Sequence, residues 1–379
     1  MYNMITGFLI LVLFMIKSQA GATAPVELRG VWLTNVDSEI LDSRESIAEA
    51  MQFLADHNFN VVLPVVWNDA KTLYYSQTMD SLFDMPIDPC YAGRDPLAEV
   101  IAEAHARDLA VIAWFEYGFS SSFEKDGGMI LSKKPAWAAR DRIGGLLTKN
   151  GFEWMNAYHP DVQKFIFKLV SEVVANYDVD GVQGDDRLPA QPIEGGYSNY
   201  TRNLYFSETG KYPPQNERDP TWQEWRAKKL NTFVAGLYRQ VKTVKPRVLV
   251  TWAPSIFDWS LHEYLQDWPS WLRSGNADLL IPQNYRYSFY EYMQTVNDLN
   301  AQYLGIPDNL LSKIYPGILI NVGDYCISED FLSRCIEYNR TMGFNGEVFF
   351  FYEGLRKNDD ALAKMLRSKY YRRKVKRPF

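Results

Sequence analysis

The chain is 379 residues long, 47% hydrophobic and 23% charged, an ordinary globular composition that excludes a disordered or collagen-like chain. A formal net charge of −6 argues against a basic surface for nucleic acid, and four histidines leave little for a His-rich metal site. With 11 Trp, 24 Tyr and 21 Phe the chain is 15% aromatic, an excess that suits a groove stacking flat ligands such as sugar rings.

Ile5 to Ile16 is an almost unbroken apolar run, too short to span a bilayer comfortably but of the right length for a signal-peptide core. Ser18-Gln19-Ala20 follows with small residues at the cleavage positions, so 1–20 reads as a secretory signal cut after Ala20. No Lys or Arg precedes the run, and an uncleaved anchor is the alternative. Cleavage removes one cation, Lys17, and takes the net charge from −6 to −7.

From there apolar runs alternate with helical patterns. Strands are predicted over 27–35, 60–67, 110–118, 179–186, 247–255, 278–285, 313–321 and 346–353. Helices are predicted over 45–58, 95–108, 161–176, 221–244, 261–273, 290–302, 329–342 and 359–370. Val61-Val62-Leu63-Pro64-Val65-Val66 and Val348-Phe349-Phe350-Phe351 are continuous apolar runs, as parallel strands buried on both faces require. Eight strand–helix units predict an α/β fold, a (β/α)8 TIM barrel over 21–366, with long loops after strands 2, 3 and 4 at 69–94, 119–158 and 187–220. A doubly wound sheet is the alternative, but no GxGxxG follows the first strand. Residues 367–379 are read as a basic C-terminal tail in solvent. Cys90, Cys326 and Cys335 allow at most one disulfide, between Cys326 and Cys335; three small buried hydrophobes is the preferred reading.

Barrel enzymes carry their chemistry at the C-terminal ends of the strands. Here those ends hold Trp32 and Asn35, Trp67 and Asn68, Trp114 and Glu116, and Gln183 with Asp185, Asp186 and Arg187. The later ends hold Trp252, then Gln283, Asn284 and Tyr285, then Asn321, and finally Tyr352 and Glu353. Amides and carboxylates bind sugar hydroxyls and rings stack on sugar faces, so a polar, aromatic-walled cleft is expected. Glycosidic hydrolysis generally uses two carboxyl groups. The candidates are Glu116, Asp185, Asp186 and Glu353. Side chains alternate along a strand, so Gln183 and Asp185 share a face, and Asp186 faces away to brace a loop or pair with Arg187.

Glu27-Leu28-Arg29-Gly30-Val31-Trp32-Leu33-Thr34-Asn35, Ala113-Trp114-Phe115-Glu116-Tyr117-Gly118 and Asp180-Gly181-Val182-Gln183-Gly184-Asp185-Asp186 resemble the bacterial glycosyl hydrolase-like family 10. So do Asn60 to Trp67 and Phe349-Phe350-Phe351-Tyr352-Glu353-Gly354-Leu355, and the resemblance runs from about 27 to 355. The family consists of secreted barrels of the cell envelope, similar in outline to amylase-type barrels. In those, Asp-Gly-Phe-Arg-x-Asp on strand four ends in the nucleophile, and Asp180 to Asp185 has the same spacing with Gln183 in place of Arg. The resemblance therefore implies Asp185 as nucleophile. It departs at strand five, which ends Thr251-Trp252-Ala253-Pro254 without the expected acid; Glu116 is the substitute, with Glu353 behind it.

The resulting expectation is an exported glycoside hydrolase, periplasmic or extracellular, acting on peptidoglycan glycan strands. Another envelope or extracellular polysaccharide is the second choice of substrate. Neither cofactor nor metal is expected, and no membrane span in the mature chain. Two rivals are a non-catalytic carbohydrate-binding barrel and a metal-dependent polysaccharide deacetylase. His57, His105, His159 and His262 fall mostly on predicted helices or helix starts, which disfavours the deacetylase.

Overall fold

The computed structural model describes residues 25–379, so the segment 1–20 read as an export signal lies outside the described residues. Eight parallel strands form the centre: β1 (Leu28–Leu33), β2 (Val61–Pro64), β3 (Ala110–Phe115), β4 (Gly181–Gly184), β5 (Leu249–Trp252), β6 (Leu279–Leu280), β7 (Gly317–Leu319) and β8 (Gly346–Phe350). Each pairs with its neighbour in chain order from β1 to β6, and β8 lies between β7 and β1. The gap between β6 and β7 is bridged where Leu280 meets Ile314 and Gln283 meets Gly317, with Tyr315 N donating to Leu280 O at 2.9 Å. The sheet thus curls round on itself as the eight predicted strand–helix units require.

Helices on the outside return the chain to the base. The principal ones are α1 (Arg44–Asp56), α2 (Pro96–His105), α3 (Pro160–Asn176), α4 (Pro220–Val244), α5 (Trp268–Arg273), α6 (Phe289–Asn297), α7 (Glu329–Thr341) and α8 (Glu353–Lys369). Local sequence sets their starts. Asp95 accepts from Ala98 N at 3.0 Å and Pro96 opens α2, supplying a fixed φ where no amide donor is needed. The helix predicted over 261–273 is two short ones, broken between Tyr264 and Trp268 where Leu265 takes a positive φ.

Alternation along the strands sorts side chains into two shells. Trp32, Trp114, Gln183, Thr251 and Phe350 fill the barrel: Trp32 donates to Gln183 Oε1 at 2.7 Å, Gln183 to Thr251 Oγ1 at 3.3 Å, and Trp114 and Phe350 rings pack on Trp32. The residues between them, such as Trp252 against Trp271, face the helices. The insert after β3 folds into a small sheet, in which 120–123 and 148–149 flank 152–154.

The C-terminal segment is not the solvated tail expected from its charge. Tyr371 is fully buried, Glu27 N donates to Lys376 O at 3.0 Å, and Lys376 N donates to Pro25 O at 3.1 Å. Beneath it Arg340 grips the buried Glu347 with bonds of 2.7 and 3.1 Å, and the Tyr371 hydroxyl donates to the same carboxylate at 2.5 Å. Backbone pairing and this ion pair outweigh the hydration of seven basic side chains, most of whose charged ends stay in water. The three cysteines are unpaired; Cys335 is buried as expected, but Cys90 is exposed and Cys326 half-buried.

Candidate active site

Glu116 and Asp185 stand one residue beyond the ends of β3 and β4, on the inward face shared with Trp114 and Gln183. Neighbouring parallel strands bring them together, and Arg187 joins them. Its Nη2 lies 3.2 Å from Glu116 Oε1 and 3.6 Å from Asp185 Oδ2. Those two oxygens are therefore no farther apart than the sum of the two lengths, about 6.8 Å. Arg187 also donates to the Glu116 carbonyl at 3.2 Å, and its guanidinium lies over the Phe152 ring at 4.5 Å. Gly118 makes this approach possible. It sits at φ +53°, where a Cβ would meet Arg187 O at 2.1 Å.

Both carboxyls are held by further donors. Asn68 Nδ2 donates to Glu116 Oε2 at 2.9 Å and to Asn35 Oδ1 at 2.9 Å. Gln283 Nε2 donates to Asp185 Oδ1 at 2.6 Å. A continuous polar chain therefore runs from Asn35 at the β1 end to Gln283 beyond β6.

Burial dominates the electrostatics. Asp185 is 3% exposed, and burial followed by the charge of Asp186 pushes its carboxyl well above the usual carboxylate range, with Arg187 opposing. Glu116, 17% exposed at its side chain, is raised by burial to about 7, again against the pull of Arg187. Burial works against the charge of Arg187 too, but Asp186, Asp185 and Glu116 together hold it protonated. Three carboxyl groups thus share one guanidinium. Burial raises both Glu116 and Asp185, so each favours its protonated form more than an exposed carboxyl does.

Around Glu116 opens a cleft of about 510 Å³, lined among others by Asn35, Asn68, Lys71, Tyr117, Phe123, Phe152 and Phe350. Tyr285 stacks on Phe350 with ring centroids 5.2 Å apart; burial, then Asp185, raises its hydroxyl well above the usual value.

The expected wall of tryptophans is not there. Trp67 and Trp252 are core residues on the outward face: Trp67 packs on Phe165 and donates to Gly118 O at 3.0 Å, and Trp252 packs on Trp271 and donates to Asn276 O at 3.3 Å. Trp32 and Trp114 are buried in the barrel beneath the site, and Gln183 is occupied by Trp32 and Thr251. Asn284 is fully enclosed, and Tyr352 packs on Phe53 with its hydroxyl taken by Arg356 at 2.9 Å. Glu353 does not join the carboxylate cluster. It stands at the start of α8, beyond the end of β8, and accepts from Ser38 Oγ at 2.6 Å. With Asn321 it borders a second hollow of about 520 Å³, which shares Asp37 with the cleft and also involves Arg356 and Lys357. Asp186 lies 3.5 Å from Arg187 Nη1, the pairing expected for a residue facing away from Asp185. Phe123 and Phe152, two of the aromatic residues that wall the cleft, come from the insert after β3; only its length and the aromatic excess pointed there.

Among the described residues no helix is long and apolar enough to cross a membrane. The fold is similar to that of the glycoside hydrolase domain of PgaB (BpsB) from Bordetella bronchiseptica, with a TM-score of 0.64 and 14% identity, covering 90% of this chain and 98% of that one. In sequence the chain is 26% identical over 310 residues to glycosyl hydrolase YngK of Bacillus subtilis, covering 73% of this chain and 57% of YngK. It is 24% identical over 316 residues to glycosyl hydrolase DigH of Escherichia coli K12, covering 72% of this chain and 70% of DigH. The family model described as glycosyl hydrolase-like 10 matches residues 27–324, which contain every member of the Asn35 to Gln283 chain, and the protein belongs to that family.

Proposed function

We propose that this protein is a glycoside hydrolase that cleaves O-glycosidic bonds of an envelope polysaccharide, with peptidoglycan glycan strands as the substrate and Glu116 and Asp185 as the working pair. The observation that carries the reading is the shared guanidinium: two inward carboxyls from adjacent strand ends, held by Arg187 at 3.2 and 3.6 Å, with Glu116 lining an open cleft and Asp185 buried behind it. Glu116, raised to about 7, protonates the leaving oxygen. Asp185 attacks the anomeric carbon, and Glu116 then takes a proton from the water that releases the sugar, with net retention. The bound of about 6.8 Å on the pair admits the spacing of about 5–5.5 Å that retention uses, and the configuration of the first-formed sugar separates this course from inversion, which needs about 6.5–9.5 Å.

A second assignment has its own support. Burial and Asp186 raise the Asp185 carboxyl strongly, which favours Asp185 as the acid and Glu116 as the nucleophile. Azide decides between them: with a nitrophenyl glycoside, the variant lacking the acid yields a glycosyl azide of retained configuration, and the variant lacking the nucleophile yields the inverted one.

Export through 1–20 fits an envelope substrate. The deciding assay incubates the purified protein with peptidoglycan and a panel of polysaccharides and measures new reducing ends. Release from peptidoglycan supports the full reading, and release from another glycan only replaces the substrate. Binding without release at any pH between 4 and 8 makes the protein a carbohydrate-binding barrel instead.

A further inference from the structure

The insert that carries Phe123 and Phe152 also borders two adjoining hollows of about 520 and 480 Å³, which share Pro135 and Ala136 as a common wall. Arg140, Arg142 and Arg202 line the first, and Lys133, Lys134, Lys164 and Lys168 line the second. Asp161 is the one carboxylate among the lining residues of either. This is a dense basic strip on a chain whose net charge is −6.

Most of these cations are uncommitted. Arg142 reaches Glu217 at 3.8 Å and Lys133 holds Asp84 at 2.9 Å. Among the described residues the other five make no ion pair. Lys164 and Lys168 stand four residues apart on α3, so they face the same side one turn apart. Like charges this close repel within a Debye length of about 8–10 Å, a cost that an incoming anion removes. Beside the arginines the Tyr200 ring, 37% exposed, lies 4.9 Å from His159 and offers an apolar face.

We propose that this strip is a second binding surface, taking an extended anionic glycan through carboxylate or phosphate groups repeated along its length. Arginine suits such oxyanions because its planar fork donates two parallel hydrogen bonds. Two hollows in series match a polymer with repeated charges, whereas a flat lipid surface would meet only their rims. The exposed Tyr200 beside the guanidinium groups adds the stacking that a sugar ring requires. The proposal rests on the glycan reading of the cleft for the kind of polymer, and it is tested by binding alone, so a failure here leaves the hydrolysis result standing and the reverse.

The test measures affinity of the full chain for polygalacturonate, poly(glycerol phosphate), neutral dextran and phosphatidylglycerol vesicles at about 50 and 300 mM salt. The variants are Arg140→Gln/Arg202→Gln and Lys164→Gln/Lys168→Gln, each checked for an unchanged melting temperature. The expected result is salt-sensitive binding of at least one polyanion, weakened about tenfold by each double substitution, with dextran affinity unaffected. Binding of polygalacturonate alone identifies the carboxylate source, and of poly(glycerol phosphate) alone the phosphate source. The proposal is overturned if neither polyanion binds, if both variants bind them as the parent does, or if the substitutions weaken only vesicle binding.

Discussion

Glu116→Gln tests the site through stability as well as rate. Burial pushes the Glu116 carboxyl up to about 7 in the folded protein, from about 4.5 in the unfolded chain. Below pH 4.5 the group is neutral in both states and costs nothing. Between pH 4.5 and 7 the unfolded chain releases the proton while the folded one keeps it, so stability falls as pH rises, and above 7 the whole cost remains. The rise from about 4.5 to about 7 sets that cost near 3.5 kcal/mol. An amide of the same shape still meets Asn68 and escapes the cost, but it leaves Arg187 one carboxylate poorer. The expected gain at pH 8 is therefore about 1–3 kcal/mol, and close to zero at pH 4. Urea unfolding of parent and variant at pH 4, 6 and 8 reads this directly. Activity supplies the second arm: the variant should fail on natural glycans and retain turnover on nitrophenyl glycosides, whose leaving group needs no proton. A variant that is less stable than the parent at pH 8, with unchanged pH dependence, would refute the burial argument.

Asp185→Asn should lower turnover by about three orders of magnitude or more with a melting temperature within a few degrees of the parent, because Gln283 can still donate to the retained oxygen; retention of over a tenth of the parent rate removes Asp185 from the chemistry. Trp252→Ala should cost about 3–5 kcal/mol in chemical denaturation while leaving glycan affinity unchanged, since the ring packs on Trp271 behind the sheet. Arg340→Met should cost about 3–5 kcal/mol by leaving Glu347 buried without its cation; a loss under about 1 kcal/mol would mean that the Tyr371 hydroxyl alone satisfies that carboxylate.

The barrel was legible because eight buried parallel strands leave eight apolar runs, each followed by an amphipathic helix. Glu116 and Asp185 were legible because alternation places them with Trp114 and Gln183, whatever the fate of those neighbours. Alternation alone does not say which face of a strand meets the barrel interior and which meets the helices, and there the reading of Trp67, Trp252 and Glu353 fails. Trp252 is next to Thr251, whose hydroxyl points inward at Gln183, so Trp252 must point out. Glu353 lies beyond the end of β8, at the start of α8, where strand alternation no longer sets its direction, while Phe350 turns toward Trp32. Arg187 was expected at the site, yet its joint grip on two strand ends depends on the positive φ at Gly118, which no local pattern announces. The cleft aromatics Phe123 and Phe152 lie in an insert whose small sheet carries no barrel periodicity.

The docked C-terminal segment has a practical consequence. Its hydrogen bonds to Pro25 and Glu27 fasten it across the floor of the barrel, at the opposite end of the strands from Glu116 and Asp185. A protein tethered to a bead or electrode through residue 379 therefore presents its open cleft outward, toward any insoluble wall fragment offered to it. Tension on such a tether pulls first on the pairing with Lys376 and on the lid over Glu347, so the anchorage gives way at the base before the strand ends that hold the carboxyl pair are disturbed.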